Sequence, residues 1–138
     1  MRIERINDMS EVLKCLPFER EIRNKGRDDT KESDMILLIQ SLIDNPLLGF
    51  WMAYDDNNNI LGYLILLANP SNIQKIKRLH LLRIYAKDKE LKTELERIGA
   101  EWAEQFQLKT AAMTTRNHIK AFQRMGWKVV SVNLERRI

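Results

Sequence analysis

The sequence has 138 residues and a single cysteine, Cys15, so no disulfide can form within the chain. No apolar run approaches the roughly 18 residues that a membrane-spanning helix needs, and we expect no contact with a membrane. The first five residues alternate charged with apolar side chains, which is not the pattern of a secretory signal peptide. These absences favour a reducing cytoplasm, with Cys15 as an inert buried thiol in an apolar helix.

Several enzyme motifs are also missing, namely a P-loop, a dinucleotide-binding glycine pattern and a nucleophile elbow. The two histidines, His80 and His118, lie far apart without Asp, Glu or Cys at metal-binding spacing, so we expect no metal. Repeats and low-complexity tracts are absent. What is present is a globular balance of 44% apolar and 30% charged residues. We expect one domain over residues 1–138.

Positive charge is concentrated in one short stretch, residues 75–92, within a chain of formal net charge +4. Its basic residues are Lys75, Lys77, Arg78, Arg83, Lys87, Lys89 and Lys92. The stretch could dock an anionic partner, such as coenzyme A phosphates, nucleic acid or an acidic protein, or it could be a solvated edge. Few aromatic residues are interleaved, so a base-stacking surface is not indicated.

Hydrophobic periodicity and capping signals predict the elements of the N-terminal half. We expect a strand at 2–6, then a helix that starts at an Asp8–Glu11 capping box and is broken by Pro17 into 9–16 and 18–24. A polar turn at 26–29 precedes a helix over 34–44 that Ser33 caps. Strands at 49–54 and 60–68 enclose an Asp- and Asn-rich turn, which is typical of a β-hairpin.

The C-terminal half continues with a strand at 78–85 and a helix from Asp88 to about Gln107. Its apolar positions form one stripe in steps of three and four: Leu91, Leu95, Ile98, Trp102 and Phe106. A strand at 109–114, a short helix over 117–125 and a strand at 127–135 follow. Trp51, Trp102 and Trp127 are interpreted as core residues. This order predicts an α/β (α+β) fold, a mixed sheet with helices on both faces.

Two segments of the chain resemble the GCN5-related N-acetyltransferases. One is the strand Arg78–Ile84 with the helix that ends in Gly99–Ala103, and the other is residues 114–130. In the second segment Phe122, Gly126 and Trp127 lie at the family's aromatic and Gly-Phe positions. The resemblance implies a mostly antiparallel sheet with a splayed parallel central strand pair, here 79–85 and 109–114. It also implies acetyl-CoA bound between these strands and an amine that receives the acetyl group directly.

The resemblance suggests roles for individual residues. Backbone groups of Leu82, Arg83 and Ile84 would follow the pantetheine arm of the cofactor. Side chains that would lie near its phosphates, or near the second strand, are Lys87, Lys89, Lys92 and Asn117. His80 lies on the strand that often carries the general base, although it could equally be an ordinary strand histidine. His118 could act as an acid, or be a helix-surface histidine.

The sequence departs from the family at the cofactor turn. Residues 86–92 contain no glycine and are about two residues shorter than the family's turn, and two carboxylates, Asp88 and Glu90, begin the following helix. They would satisfy the helix dipole themselves and repel a pyrophosphate. Phe122 stands where many members carry the tyrosine that protonates the leaving thiolate.

Two hypotheses therefore remain. The first is a weak or inactive acetyl-CoA-dependent N-acetyltransferase. Four acidic residues could attract its cationic acceptor, or they could simply form a polar loop: Asp28, Asp29, Glu32 and Asp34. The second is a non-catalytic module, for example a bacteriophage virion or host-takeover protein. Its partner would be a protein, a nucleic acid or a second copy of the chain. Tyr85 could reach a cofactor under the first hypothesis, or simply pack at the end of its strand.

Overall fold

The computed structural model describes residues 1–25, 31–70, 77–106 and 110–113. Within these ranges the strands are β1 Arg2–Arg5, β2 Leu48–Tyr54, β3 Ile60–Pro70, β4 Lys77–Ala86 and β5 Thr110–Met113. The helices are α1 Met9–Val12, α2 Leu16–Asn24, α3 Glu32–Leu42 and α4 Lys89–Glu104, with a 3₁₀ turn at Leu13–Cys15. The predicted helix 117–125, the strand 127–135 and the turn 26–29 lie outside the described residues.

The five strands form one sheet in the order β1-β2-β3-β4-β5. The first three pairings are antiparallel, and β4 pairs with β5 in parallel, with Arg78 opposite Thr110 and Leu81 opposite Met113. This confirms a mixed, mostly antiparallel sheet that contains the expected parallel pair. Past Leu81, β4 pairs only with β3 among the described residues.

The hairpin between β2 and β3 confirms the predicted turn. Asn58 has a φ of 63°, the left-handed conformation that asparagine tolerates better than most residues. The Asp55 carboxylate accepts hydrogen bonds from the backbone N–H groups of Asn57 and Asn59 at 2.9 and 2.8 Å. The side chain thereby fixes the turn that sets the register of β2 and β3.

Helices cover both faces of the sheet, as predicted. On one face the α4 stripe buries Leu91, Leu95 and Trp102 against apolar side chains of β2, β3 and β4. On the other face, residues of α1, α2 and α3 pack on Phe50, Met52 and other buried side chains. Trp51 and Trp102 contact each other edge to face at 5.5 Å between ring centroids, which confirms both as core residues. Trp127 is outside the described residues.

The first helical segment differs from the prediction in where it breaks. The break is the 3₁₀ turn at Leu13–Cys15, and Pro17 lies in the first turn of α2. A proline is tolerated there because its missing N–H would have had no partner within the helix. Asp8 caps α1 by accepting from the Ser10 N–H at 2.9 Å.

The prediction of a capping box is half wrong. The Glu11 carboxylate binds Lys14 at 2.7 Å and accepts from the Tyr54 hydroxyl at 2.8 Å. It is therefore used in contacts that hold α1 to β2 and to the following turn.

The predicted start of α3 is also wrong. The helix begins at Glu32, one residue before Ser33, and its N-cap Lys31 makes no side-chain capping bond. Glu32 forms ion pairs with Arg20 at 3.3 Å and Arg23 at 2.9 Å, both on α2. A contact between helices thus sets this end, and a local cap does not. The helix ends at Leu42, and α4 ends at Glu104, each somewhat earlier than predicted.

Candidate functional site

The strand expected to line a cofactor, β4, contains a β-bulge at Leu82, one of the residues expected to follow the pantetheine arm. Ile65 of β3 lies opposite Arg83 and Leu66 lies opposite Leu81, so Leu82 has no opposite residue on β3. Leu79 and Leu81 are buried with α4, whereas Leu82 packs with the cluster under α1, α2 and α3. The bulge therefore reorients the second half of β4.

His80 is half-buried, opposite Leu67 of β3 and Ala112 of β5. Because side chains alternate along a strand, His80 lies on the face opposite to that of Leu79 and Leu81. This is the face covered by α1, α2 and α3. Its predicted role as a base stays a prediction. His118 and Asn117 lie outside the described residues.

Behind the bulge, Arg83 forms a buried ion pair with Glu19 of α2. The Arg83 Nε donates to both Glu19 oxygens at 2.9 and 3.0 Å, and Nη2 lies 2.8 Å from Oε2. Glu19 is 2% exposed and Arg83 is 7% exposed. The guanidinium therefore does not belong to a solvated basic edge, and including Arg83 in the exposed charge of residues 75–92 was wrong. Sequence reasoning missed Glu19, which lies 64 residues away from its partner.

Tyr63 completes this group from the neighbouring strand. Its hydroxyl donates to Glu19 Oε1 at 2.6 Å, and its side chain is fully buried. Burial, and next the charge of Glu19, raises the pKa of the Tyr63 phenol, so the group remains a hydrogen-bond donor. Burial, followed by the charge of Glu19, also raises the pKa of the Cys15 thiol. This supports the interpretation of Cys15 as inert.

Two half-buried rings, those of Phe18 and Tyr85, pack against Tyr63. Phe18 precedes Glu19 on α2, and its ring centroid lies 5.0 Å from that of Tyr85 on β4. Tyr85 also stacks on Tyr63 at 5.7 Å. Of the two roles predicted for Tyr85, these contacts support packing at the strand end.

The turn from β4 into α4 was expected to receive phosphates. Here the Lys87 N–H donates to the Leu61 carbonyl at 2.9 Å, and the Asp88 carboxylate accepts from the Leu91 N–H at 2.9 Å. Asp88 is therefore the N-cap, as predicted. Lys87 and Lys89 are exposed and Lys92 is half-buried.

This turn does not fit a pyrophosphate. A capping carboxylate bonds one of the N–H groups that an anion would use, and no glycine lets the backbone approach a phosphate closely. Neither of these two reasons applies to the strand half of the expected cofactor site, Leu82 to Ile84. The departure from the expected cofactor site is therefore confined to the start of α4.

The other predicted features provide no further candidate site among the described residues. No cluster of three or more His, Cys, Asp or Glu that could hold a metal occurs within the described ranges. No helix in the same part of the chain is long and apolar enough to cross a membrane. Glu32 is held by two arginines and Asp34 is exposed, while Asp28 and Asp29 lie outside the described residues.

Several solved structures with the same fold are described as acetyltransferases. A predicted acetyltransferase from Clostridium acetobutylicum, solved with acetyl-CoA, superposes with a TM-score of 0.75 at 14% identity, over 99% of this chain and 95% of that chain. The ribosomal-protein-alanine N-acetyltransferase of Brucella melitensis gives 0.67 at 14% identity and covers both chains completely. The aminoglycoside 6′-N-acetyltransferase AAC(6′)-IG of Acinetobacter haemolyticus gives 0.66 at 18%, over 100% and 99%.

No protein-family model and no curated protein sequence matches the chain. The structural similarity extends over nearly the whole length of each chain. The protein therefore has the fold of the GCN5-related N-acetyltransferases. At these identities the comparison establishes the fold and leaves the activity to be argued from the site.

Proposed function

We propose that this chain is an acetyltransferase-fold protein that binds acetyl-CoA weakly or not at all, and acts mainly by binding another molecule. The observation that carries the proposal is the hydrogen bond from the Leu91 N–H to the Asp88 carboxylate, 2.9 Å long. It occupies the end of α4 where the fold would hold the cofactor's pyrophosphate.

Electrostatics at this position favour the capped state. A helix start attracts one anion through its free N–H groups and its dipole, and Asp88 supplies that anion from within the chain. Glu90 adds a second negative charge in the first turn. The exposed Lys87 and Lys89 lower the resulting repulsion only in part, since exposed charges interact weakly in water.

The chain's own residues retain part of an acyl-transfer site. Backbone groups of Leu82, Arg83 and Ile84 would orient a pantetheine arm, and the bound acetyl thioester would supply the group to be transferred. His80, on the face under α1, α2 and α3, would take the proton from an amine. These assignments predict residual activity at most.

Calorimetric titration with acetyl-CoA tests the proposal. We expect no saturation at micromolar concentrations for the wild type. Asp88→Asn keeps an N-cap acceptor and removes its charge, so we expect affinity to rise about two- to fivefold. Asp44→Asn removes one exposed charge beyond the far end of α3 and is the matched control, expected to bind like the wild type. A micromolar dissociation constant for the wild type would contradict the proposal.

Two exposed surfaces of the protein could bind another molecule, and each favours a different kind of partner. Lys87 and Lys89 are exposed and would attract an anionic partner, whether nucleic acid or acidic protein. Leu37 and Leu38 of α3 are 61% and 40% exposed, and such side chains favour contact with a second copy. Light scattering at increasing protein concentration separates these candidates. A mass that stays monomeric excludes the second copy and leaves the anionic partner to be tested with single-stranded and double-stranded DNA.

A further inference from the structure

We infer that the outer face of α3 pairs with the same face of a second copy of this chain, with the two helices antiparallel. The residues of this outer α3 face are all exposed, and they are Lys31, Asp34, Leu37, Leu38, Ser41 and Asp44. The inference rests on the proposed function, in which the chain acts by binding, and it names the partner. Because α3 packs on the face of the sheet opposite to α4, this contact and the capped start of α4 can be tested separately.

The α3 helix is apolar on every side. Its five consecutive residues Met35–Ile39 are all apolar, and at 3.6 residues per turn they point in all directions around the helix axis. Three of them are buried against the sheet and its neighbours, whereas Leu37 and Leu38 are 61% and 40% exposed. A helix at the surface usually keeps its outer side polar, and a helix that is apolar all round is usually buried. We therefore expect another molecule to cover the outer α3 face.

The two ends of the outer α3 face carry opposite charges. Lys31 is the N-cap of α3, and Asp44 follows its C-cap Ile43. Among the described residues, neither of these two side chains forms an ion pair. Each charge lies at the end of the helix where the dipole disfavours it. An antiparallel second copy would bring Lys31 next to Asp44 at both ends, whereas a parallel copy would bring like charges together.

The register of the antiparallel pair follows from the spacing of these residues. Leu37 is six residues after Lys31, and Leu38 is six residues before Asp44, so the midpoint of the face lies between the two leucines. A twofold axis through this midpoint brings the leucines of both copies together and also joins each lysine to an aspartate. The face is therefore complementary to itself, as the contact surface of a symmetric dimer has to be.

The remaining polar residues are compatible with this register, although the contact is small. Asp34 and Ser41 are equally far from the midpoint, so the carboxylate faces a hydroxyl group and not a second carboxylate. The helix has 11 residues and is about 16 Å long. One helix face of this length buries less than the roughly 800 Å² per partner of a typical stable complex. We therefore expect a weak dimer, with a dissociation constant on the order of 100 µM.

Sedimentation equilibrium between about 10 µM and about 1 mM protein tests whether this dimer forms. Leu37→Gln should weaken the dimer at least tenfold, because it removes apolar contact at the centre of the interface. The matched control is Leu13→Gln, which changes a leucine that is 47% exposed in the 3₁₀ turn and should leave the dissociation constant unchanged. A wild type that stays monomeric throughout overturns the inference and leaves the face to a different partner protein. Equal weakening by the two glutamine variants also overturns it.

Variants of opposite charge test the antiparallel arrangement. Lys31→Glu and Asp44→Lys should each weaken the dimer by about three- to tenfold, because like charges then meet at both ends. An equimolar mixture of the two variants should associate as tightly as the wild type, because each end again joins opposite charges. A mixture that associates no more tightly than either variant alone contradicts the antiparallel pairing. These outcomes leave the titration with acetyl-CoA unaffected, so failure of this inference and failure of the proposed function are distinguishable.

Discussion

The two faces of the sheet are held by different kinds of interaction. On one face, among the described residues, one helix of 16 residues, α4, presents a regular apolar stripe, and its N-cap comes from the same segment. On the other face three short helices depend on contacts between distant residues, such as Glu19 with Arg83 and Glu11 with Tyr54. The α4 face also buries one carboxylate, Glu96, but its apolar contacts form a continuous cluster. Both faces contain a buried apolar cluster, and the second face adds tertiary hydrogen bonds and a buried ion pair between distant residues.

The largest expected effect comes from breaking the buried pair. Arg83→Met should lower the free energy of unfolding by about 3–5 kcal/mol, because Glu19 is left as an uncompensated buried charge. The double variant Glu19→Leu/Arg83→Met should regain part of this loss because both charges are gone, and it should remain about 1–3 kcal/mol below the wild type because the buried Tyr63 hydroxyl loses its acceptor. Urea unfolding monitored by circular dichroism measures both values.

Arg97→Met is the matched change on the α4 face. Arg97 pairs with Glu94 and Glu101 but is 53% exposed, so its loss should cost less than about 1 kcal/mol. If the double variant Glu19→Leu/Arg83→Met is no more stable than Arg83→Met, the uncompensated charge of Glu19 is not the cause of the lost stability.

Structure that depends on local patterns could be predicted from the sequence, and contacts between distant residues could not. The stripe of α4, the Asp88 cap and the hairpin at Asp55–Asn59 are local patterns, and they were predicted from the residues. The parallel pairing of β4 with β5 joins distant residues, and it was expected only because of the resemblance to a known family. The ion pair was not, since Glu19 looks like an ordinary surface residue of a short helix and Arg83 like part of a basic stretch. The start of α3 was missed for the same reason, because ion pairs to Arg20 and Arg23 set it.

A smaller effect is expected at the start of α4. Asp88→Ala should destabilise the protein by about 1 kcal/mol through loss of the bond to the Leu91 N–H, whereas Asp88→Asn should cost only a few tenths. Urea unfolding at neutral pH measures the difference. If the alanine and asparagine variants are equally stable, the bond from the Leu91 N–H to Asp88 does not stabilise α4. Asp88 would then not keep a pyrophosphate away from the start of this helix.

The smallest effect is a pH dependence at the contact between α1 and β2. A hydrogen bond from Lys14, and next one from the Tyr54 hydroxyl, lowers the pKa of Glu11 below its usual value of 4.5. A carboxyl whose pKa is lower in the folded state stabilises the protein above its unfolded pKa, and this contribution is lost as the pH falls through the folded value. The wild type should therefore lose stability from about pH 5 downward. Glu11→Gln should reduce this loss, as measured by urea midpoints at pH 6 and pH 3. Glu104→Gln, an exposed change at the end of α4, should leave the loss as it is in the wild type. Equal losses in all three proteins would show that the contact between Glu11 and Tyr54 does not hold α1 to the sheet.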